Sequence, residues 1–200
     1  MAAADVATNK VLFTNDRSVV VLQATSAEAG QGQDILVVRL PGGEVSTIAT
    51  RIYDSEWLVP GTSLLFKTVD KDLVLASLDG AEPRVLARGS YDHSLSPDRK
   101  RLYSFGECIH PPCALDAITI ATGASTRLSK RAALTGPFGE NVIVSPSGRF
   151  WAFTEESAGD GGISNPVLHI FDESGQDYAI SSQSGVSYPV FVSDDLLIFL

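Results

Sequence analysis

The feature that most constrains this chain is a turn followed directly by an apolar strand, which recurs along the sequence. Residues 96–104 read SPDRKRLYS, and residues 145–153 read SPSGRFWAF. Proline presets the backbone of a turn, and serine or aspartate side chains can hydrogen-bond that turn. Shorter copies occur at residues 59–66 and 193–199. A chain punctuated in this way favours many short strands.

The copies are spaced as structural repeats. The turn that precedes the strand is anchored at Asn15, Pro60, Pro97, Pro146 and Asp194, which gives a period of about 40–50 residues. Each period holds four strand-like segments, as the blades of a propeller do, and no helical 3.6-residue stripe is apparent. The sequence therefore predicts an all-β fold. We expect a β-propeller of four-stranded antiparallel blades, with about four and a half blades present as a partial propeller.

We expect a single propeller domain over residues 1–200, because no linker or break in composition interrupts the chain. The predicted blades cover residues 10–48, 52–87, 90–128, 140–180 and 187–200, the last of them incomplete. An incomplete blade would leave an open strand edge that invites pairing. We therefore expect the missing blade strands to come from further sequence or from another chain.

Charge and hydrophobicity argue against two classes of partner. The formal net charge is −9, whereas a nucleic-acid surface needs a basic stripe. The basic residues at 99–101 and 127–131 are better explained as solvated strand and loop ends. Apolar runs stay short of the roughly 18 residues that a membrane span needs. Residues 1–5 also lack the features of a signal peptide. We expect no nucleic-acid binding and no membrane insertion.

The two cysteines, Cys108 and Cys113, flank a short loop in the third repeat. Three interpretations stay open for them. A local disulfide would suit an exported protein, and two free thiols would suit a cytosolic one. A zinc site that also used His110 would need a fourth ligand, and its spacing matches no standard zinc finger. The disulfide between Cys108 and Cys113 is the preferred interpretation.

Patterns that would indicate catalysis are weak. The chain has no G-x-S-x-G motif. Asp92, His93 and Ser94 are adjacent, but neighbouring strand residues point to opposite faces and cannot form a triad by themselves. His169 is interpreted as a strand-face residue, and residues 172–177 as a hairpin turn rather than a calcium loop. We therefore assign no catalytic, cofactor-binding or metal-binding residue, and we expect no cofactor.

The repeats resemble the TolB-type propeller repeat, also called the PD40 or WD40-like repeat. Its pattern runs S-P-D-G-K-x-L-x-F and continues, after an apolar strand, with D-x-x-T-G. The third repeat matches at residues 96–103 and 118–123, and the fourth at 145–153 and 170–175. Arg99 replaces the motif glycine in the third repeat. The resemblance implies a propeller fold. The family includes the periplasmic TolB component and the gating propellers of prolyl-oligopeptidase-type enzymes, so function does not follow from it.

The sequence is compatible with two main functional hypotheses and a weaker third one. We expect a non-catalytic TolB-like propeller that acts as a protein- or peptide-binding module, because the repeats are clear and catalytic motifs are missing. The alternative is the N-terminal gating propeller of a larger prolyl-oligopeptidase-type hydrolase whose catalytic domain is not in this chain. A metal-dependent propeller enzyme is a weaker third hypothesis, since the chain has three histidines. The resemblance and the paired cysteines imply a periplasmic or extracellular location.

Overall fold

The computed structural model describes residues 8–14, 18–25, 32–59, 62–106, 112–133, 142–156, 166–172, 174, 176–181 and 189–198. Every regular element in these segments is a β-strand. They include no helix of a length and apolarity suited to crossing a bilayer.

The strands are numbered here in chain order. Their bounds are β1 Thr8–Phe13, β2 Val19–Thr25, β3 Gln33–Arg39, β4 Glu44–Val59, β5 Ser63–Thr68, β6 Leu73–Ser77, β7 Arg84–Ala87, β8 Ser90–Leu95, β9 Arg101–Gly106, β10 Cys113–Thr119, β11 Ser125–Ala133, β12 Ile143–Val144, β13 Phe150–Glu156, β14 Pro166–Asp172, β15 Asp177–Ser181, β16 Val190–Ser193 and β17 Leu196–Ile198.

The chain divides into two compact units, Met1–Gly89 and Ser90–Leu200. The division falls between the second and third predicted repeats. In the first unit, β1 to β7 form one seven-stranded sheet in chain order. In the second unit, an eight-stranded sheet has the order β15-β14-β13-β11-β10-β9-β8, with β12 paired to β13, and β16 pairs with β17 in a separate hairpin. The expectation of a single domain over residues 1–200 stays a prediction.

The first unit buries the middle strands of its two repeats. Consecutive apolar residues in β2, β3 and β5 supply a core that is shielded from water. Its most buried members include Val21, Ile35, Val37, Ile52 and Leu64. Runs of β-branched residues suit strands that pack on both faces. The prediction of an all-β fold is thus confirmed in this unit.

The boundary between the first two repeats differs from the prediction. The predicted repeats 10–48 and 52–87 imply separate strands on either side of their boundary, but β4 is continuous from Glu44 to Val59. Its first part pairs with β3 and its second part with β5. Residues 45–53 contain no glycine, proline, asparagine or aspartate to break the strand. The change of partner is instead accommodated by register shifts and by Arg51, whose φ is +55°.

The same device joins the third and fourth repeats. A strand ending at Leu128 was predicted, yet β11 continues to Ala133. It pairs with β10 over most of its length and with β13 at Ala132 and Ala133. Among the residues described at the start of the fourth predicted repeat, Ile143 and Val144 form strand β12. The continuation of β11 beyond Leu128 has the same physical reason, because residues 129–133 contain no glycine, proline, asparagine or aspartate to end the strand.

In the second unit, the two halves of the sheet pack against each other through aromatic side chains. Tyr103 and Phe105 from β9 share a buried cluster with Trp151 and Phe153 from β13. The opposite face of β13 and β14 is buried as well. A second cluster joins its residues to the hairpin of β16 and β17: Ala152, Leu168, Ile143, Ile170, Ile180, Phe191 and Leu197. Successive antiparallel repeats are therefore stacked face to face within this unit.

The anchor turns can be compared with their predicted places. Pro97, Pro146 and Asp194 all lie in turns that lead into strands, as predicted. Asn15 and Pro60 lie outside the described residues. The turn-before-strand repeat is therefore confirmed at the three anchors of the second unit.

Candidate functional site

The turn of the third repeat positions the first residue of β9. The backbone N–H of Ser96 donates to the carbonyl of Arg101 at 2.9 Å, and the backbone N–H of Arg101 donates to Ser96 Oγ at 2.9 Å. Asp98 Oδ1 accepts from Ser96 Oγ at 2.6 Å and from the Lys100 N–H at 3.0 Å. These bonds, the serine hydroxyl first, hold the pKa of Asp98 below its usual range. Asp98 therefore has a structural role in the turn, as the sequence indicated.

The turn of the fourth repeat has the same geometry. Ser145 N–H donates to the Phe150 carbonyl at 2.8 Å, and Phe150 N–H donates to Ser145 Oγ at 3.1 Å. Gly148 has a φ of +81°, and Arg99 takes the equivalent left-handed conformation with a φ of +56°. The departure of Arg99 from the repeat pattern therefore leaves the backbone of the turn unchanged.

Turns of successive repeats lie side by side in the second unit. A Cβ at Gly148 would be 3.4 Å from Pro97 Cδ. The N–H of Ser147 donates to Asp194 Oδ1 at 3.0 Å, and hydrogen bonds from Ser147, its hydroxyl first, lower the pKa of Asp194. The beginnings of β9 and β13 are therefore brought to the same end of the sheet stack.

A cavity of about 340 Å³ lies near this end, between the two halves of the sheet. Strands β9, β10 and β11 form one wall, and strands β13 and β14 form the other. The lining residues are Arg101, Ala117, Ile118, Thr119, Thr126, Leu128, Trp151 and Phe171. We call this cavity the interblade pocket. All of its lining residues belong to the second unit, so the geometry of one compact body defines it.

Strand register explains why small side chains face large ones across the interblade pocket. Ala117 is opposite Thr126 in one sheet half, and Arg101 is opposite Thr119. Trp151 is opposite Phe171 in the other half. Directly opposed residues share one face of a sheet. A wall of alanine and threonine therefore faces a wall of aromatic rings, and this mismatch in size leaves the space between them.

The aromatic wall is ordered by stacking. The rings of Trp151 and Phe171 are 4.2 Å apart between centroids and tilted by 6°. Tyr103 contacts Trp151 from the first wall at a centroid distance of 5.2 Å. Trp151 is only 4% exposed, and its Nε1 atom has no hydrogen-bond partner among the residues that the structure describes. Buried polar groups are rarely left in this state.

Among the described residues of the lining, Arg101 is the one that carries a charge. Burial raises the pKa of the neighbouring Tyr103 to about 12, and Arg101, through its charge and a hydrogen bond, offsets part of that rise. The negative charge of Asp98, in the adjacent turn, also contributes to raising the pKa of Tyr103. The pocket therefore combines an apolar wall with a cation. Such a combination can hold an apolar group that bears a hydrogen-bond acceptor.

His169 continues the same face of β14 beyond the interblade pocket. Its ring stacks on Phe153 at 5.2 Å between centroids, and its Nδ1 lies 2.8 Å from Asp177 Oδ2. The interpretation of His169 as a strand-face residue agrees with this arrangement. Within the described segments, no group of three or more histidine, cysteine, aspartate or glutamate residues is arranged to hold a metal ion.

The other residues singled out in the sequence are placed as follows. Asp92 and His93 lie in β8, where the Asp92 carboxylate accepts the backbone N–H of His93 at 2.8 Å. The Asp92 carboxylate thus makes a local hydrogen bond to the backbone of the next residue. Cys113 begins β10 and is 1% exposed, and the described residues contain no free cysteine. Cys108 and His110 lie outside the described residues, so the disulfide between Cys108 and Cys113 stays a prediction.

The interblade pocket itself was not predicted. One signal was available, because Trp151 stands in the fourth repeat where the third repeat has Leu102. A tryptophan in place of an aliphatic residue of a repeat motif marks a position with its own surroundings. The facing residues, Ala117 and Thr126, carry no comparable signal in the sequence.

Comparison with known proteins adds evidence at the level of fold. No family model matches the chain, and no curated protein matches it. A structure of oligogalacturonate lyase in complex with manganese matches 89% of this chain and 54% of its own, at 13% identity and a TM-score of 0.57. A puromycin-hydrolyzing peptidase of Mycobacterium tuberculosis matches 92% of this chain and 33% of its own, at 18% identity and a TM-score of 0.54.

A structure described as a TolB of Agrobacterium tumefaciens matches 98% of this chain and 70% of its own, at 18% identity and a TM-score of 0.50. The chain spans about half the length of the oligogalacturonate lyase and a third of the peptidase. At such low identities the likeness concerns the fold alone. The predicted fold is confirmed: the chain is a partial β-propeller, similar in fold to these structures.

Proposed function

We propose that this chain is the binding part of a TolB-like propeller, and that it recognises a protein or peptide partner without catalysing a reaction on it. The observation that carries the proposal is the interblade pocket. Its apolar wall of Trp151 and Phe171 and the charge of Arg101 suit an apolar side chain next to a peptide carbonyl or carboxylate. Peptide sites in general combine such a pocket with a few placed hydrogen-bonding groups.

The proposal is tested by selection from a random-peptide library on the purified chain. We expect convergence on sequences that share an apolar residue. The variant Thr126→Phe fills the interblade pocket from an exposed strand position and should abolish the selected binding. Ser125→Phe is the matched control, because Ser125 is the exposed neighbour on the same strand and does not line the pocket. A library that fails to converge, or binding that survives Thr126→Phe, would contradict the proposal.

A second candidate function is the gating propeller of a larger hydrolase. It is supported by the likeness of this chain to one third of a puromycin-hydrolyzing peptidase. The test is to read the coding sequence on the carboxyl-terminal side of Leu200. A strand followed by G-x-S-x-G and a helix would favour the hydrolase. A continuation that holds only further propeller repeats would remove it.

We also propose a periplasmic or extracellular location, which is supported by the TolB-type fold and by the spacing of Cys108 and Cys113. Disulfides persist in oxidising compartments and are rare in the cytosol. Fractionation of the native source should find the protein outside the cytoplasm. Recovery in the cytoplasmic fraction with two reactive thiols would overturn this assignment.

A further inference from the structure

The interblade pocket has the dimensions of a site for one residue. Its volume of about 340 Å³ lies at the small end of ligand pockets. Ala117 and Leu128 of one wall face Trp151 and Phe171 of the other, so an apolar or aromatic side chain can lie between them. Thr119 and Thr126 are exposed. The pocket is therefore open to solvent at these threonines, where a longer ligand can leave it.

The polar groups of the interblade pocket specify what accompanies that side chain. The guanidinium of Arg101 is a hydrogen-bond donor without acceptor capacity. The hydroxyls of Thr119 and Thr126 can add further donors. A ligand that satisfies these donors must supply acceptors, and a negative charge is favoured because Arg101 is the one charged residue among the described residues of the lining.

Asp98 is the carboxylate near Arg101 that could compete with a ligand, and its hydrogen bonds are made within the turn. Asp98 Oδ1 accepts from Ser96 Oγ and from the Lys100 N–H within the turn, and its Oδ2 lies 3.8 Å from Lys100 Nζ. Tyr103, the other neighbour, is a phenol that accepts a hydrogen bond from the guanidinium and carries no charge at neutral pH. The hydrogen bonds of Asp98 are therefore made within the turn, and a carboxylate from a ligand can approach the guanidinium of Arg101 from the interblade pocket.

Resting on the binding function proposed above, we propose that the interblade pocket captures the carboxyl-terminal residue of a partner peptide, with an apolar or aromatic side chain between the two walls and the α-carboxylate on Arg101. A free apolar carboxylic acid shares this chemistry. The opening at Thr119 and Thr126 favours the peptide, because the preceding residues can leave the pocket there. Capture of a terminal carboxylate is a recurring mode of peptide recognition.

The proposal is tested by calorimetric titration of the chain with acetyl-Gly-Ser-Gly-Ala-Phe, as the free acid and as the carboxyl-terminal amide. The acid should bind about tenfold more tightly, because a charge-assisted bond to Arg101 is lost in the amide. Arg101→Gln should weaken binding of the acid by a similar factor and leave the amide unchanged. That non-additivity separates loss of the carboxylate contact from general unfolding.

Lys130→Gln is the matched control. It removes the same charge from an exposed residue of β11 that is outside the lining, and should change affinity for the acid less than twofold. Equal binding of acid and amide, or unchanged affinity in Arg101→Gln, would overturn the proposal. N-acetylphenylalanine should bind more weakly than the peptide; equal affinity would assign the pocket to free acids and overturn peptide capture.

These outcomes are distinct from failure of the binding function. A chain that selects library peptides but ignores the state of their carboxyl terminus binds peptides in another way, so only the present inference falls. A chain that selects no peptide and also fails to bind the acid contradicts both.

Discussion

At the scale of single residues, the side chain of Ser96 replaces a backbone partner that the turn cannot provide. Its Oγ accepts the N–H of Arg101 and donates to Asp98, and Ser96 is only 7% exposed. A buried backbone donor that loses its acceptor costs about 1–3 kcal/mol. The serine of the repeat is therefore a structural residue that also fixes where the side chain of Arg101 begins.

We predict that Ser96→Ala lowers the free energy of unfolding by about 1–2 kcal/mol. The physical reason is the unpaired N–H of Arg101 and the lost hydroxyl bond to Asp98. Urea titration followed by circular dichroism measures the change. Ser174→Ala, which removes an exposed hydroxyl bonded to Asp172, is the control and should change little. Equal stability of Ser96→Ala and the wild type would contradict the assigned role.

Arg99 occupies a left-handed conformation that glycine adopts at no steric cost. An L-residue pays about 1–2 kcal/mol there, while glycine costs roughly 0.5–1 kcal/mol through the unfolded chain. We therefore predict that Arg99→Gly raises the free energy of unfolding by about 0.5–1 kcal/mol. Gly148→Ala should do the reverse, because it adds a Cβ at a φ of +81° and 3.4 Å from Pro97 Cδ. Thermal denaturation of the two variants and the wild type measures both changes in stability. A destabilised Arg99→Gly would show that Arg99 is not strained in the turn.

The raised pKa of Tyr103 predicts that the free energy of unfolding depends on pH in alkaline solution. Its pKa is raised to about 12 by burial, whereas an unfolded tyrosine has a pKa of about 10. Between these values the unfolded state binds fewer protons than the folded state, so the free energy of unfolding falls as pH rises. The contribution is complete below pH 10, and about 2–3 kcal/mol of it is lost by pH 12.

The measurement is urea unfolding of the wild type and of Tyr103→Phe at a series of pH values above neutral. Because other groups titrate in the same range, the prediction concerns the difference between the two proteins. Tyr103→Phe should gain relative stability as pH rises from 10 to 12. Parallel curves for the two proteins would contradict the assignment of this titration to Tyr103.

At the scale of elements, β4 and β11 each serve two repeats. In β4 the change of pairing from β3 to β5 lies at Arg51, and the carbonyl of Arg51 accepts the N–H of Val69 at 2.9 Å. Gly32 packs directly against this point. A Cβ on Gly32 would lie 2.8 Å from Val69 Cγ1 and 3.0 Å from the backbone of Arg51. The continuity of β4 therefore depends on a glycine that is remote in sequence.

We predict that Gly32→Ala lowers the free energy of unfolding by about 2–4 kcal/mol, because a positive φ and a backbone clash act together. The φ of Gly32 is +94°. Gly43→Ala is the matched control, since its φ of +70° is also positive but its Cβ would meet no atom within 4 Å. Gly43→Ala should lower the free energy of unfolding by about 1 kcal/mol, which is the cost of the positive φ alone. Similar losses for the two variants would show that the close approach of Gly32 is unimportant.

At the scale of the whole molecule, two features bear on where the protein works. The net charge of −9 favours solubility and opposes polyanion binding. The predicted disulfide between Cys108 and Cys113 would bear on the compartment, because such a bond persists only where conditions are oxidising. Both features are properties of the chain as a whole rather than of the interblade pocket.

We predict that reduction of the disulfide lowers the free energy of unfolding by about 2 kcal/mol, as expected for a short closed loop. Urea unfolding with and without a reductant measures the change, and thiol titration of the unfolded, unreduced protein should find no reactive thiol. Cys108→Ser is the control, because the reductant should have no effect on it. Two reactive thiols in the unreduced protein would show that the bond is not formed.

The sequence by itself determined the repeat of turn and strand. Its cause is local: the bonds of Ser96 and Ser145 close turns within six residues, so the motif specifies the same backbone wherever it occurs. The period of these turns predicted the four-stranded repeats of the propeller. The boundaries between repeats were less predictable, because β4 and β11 change partners at positions fixed by contacts with distant strands.

Only the tertiary structure decided the interblade pocket. Trp151 and Arg101 lie in different halves of a sheet, and their proximity depends on how the halves stack, which is set by the packing of Tyr103 and Phe105 against Trp151 and Phe153. The space itself arises because Ala117 and Thr126 face aromatic rings. Such pairings are nonlocal and leave no spacing pattern in the sequence, since strands such as β9 and β13 are buried on both faces. Local hydrogen bonds made the turns predictable, and long-range packing made the pocket.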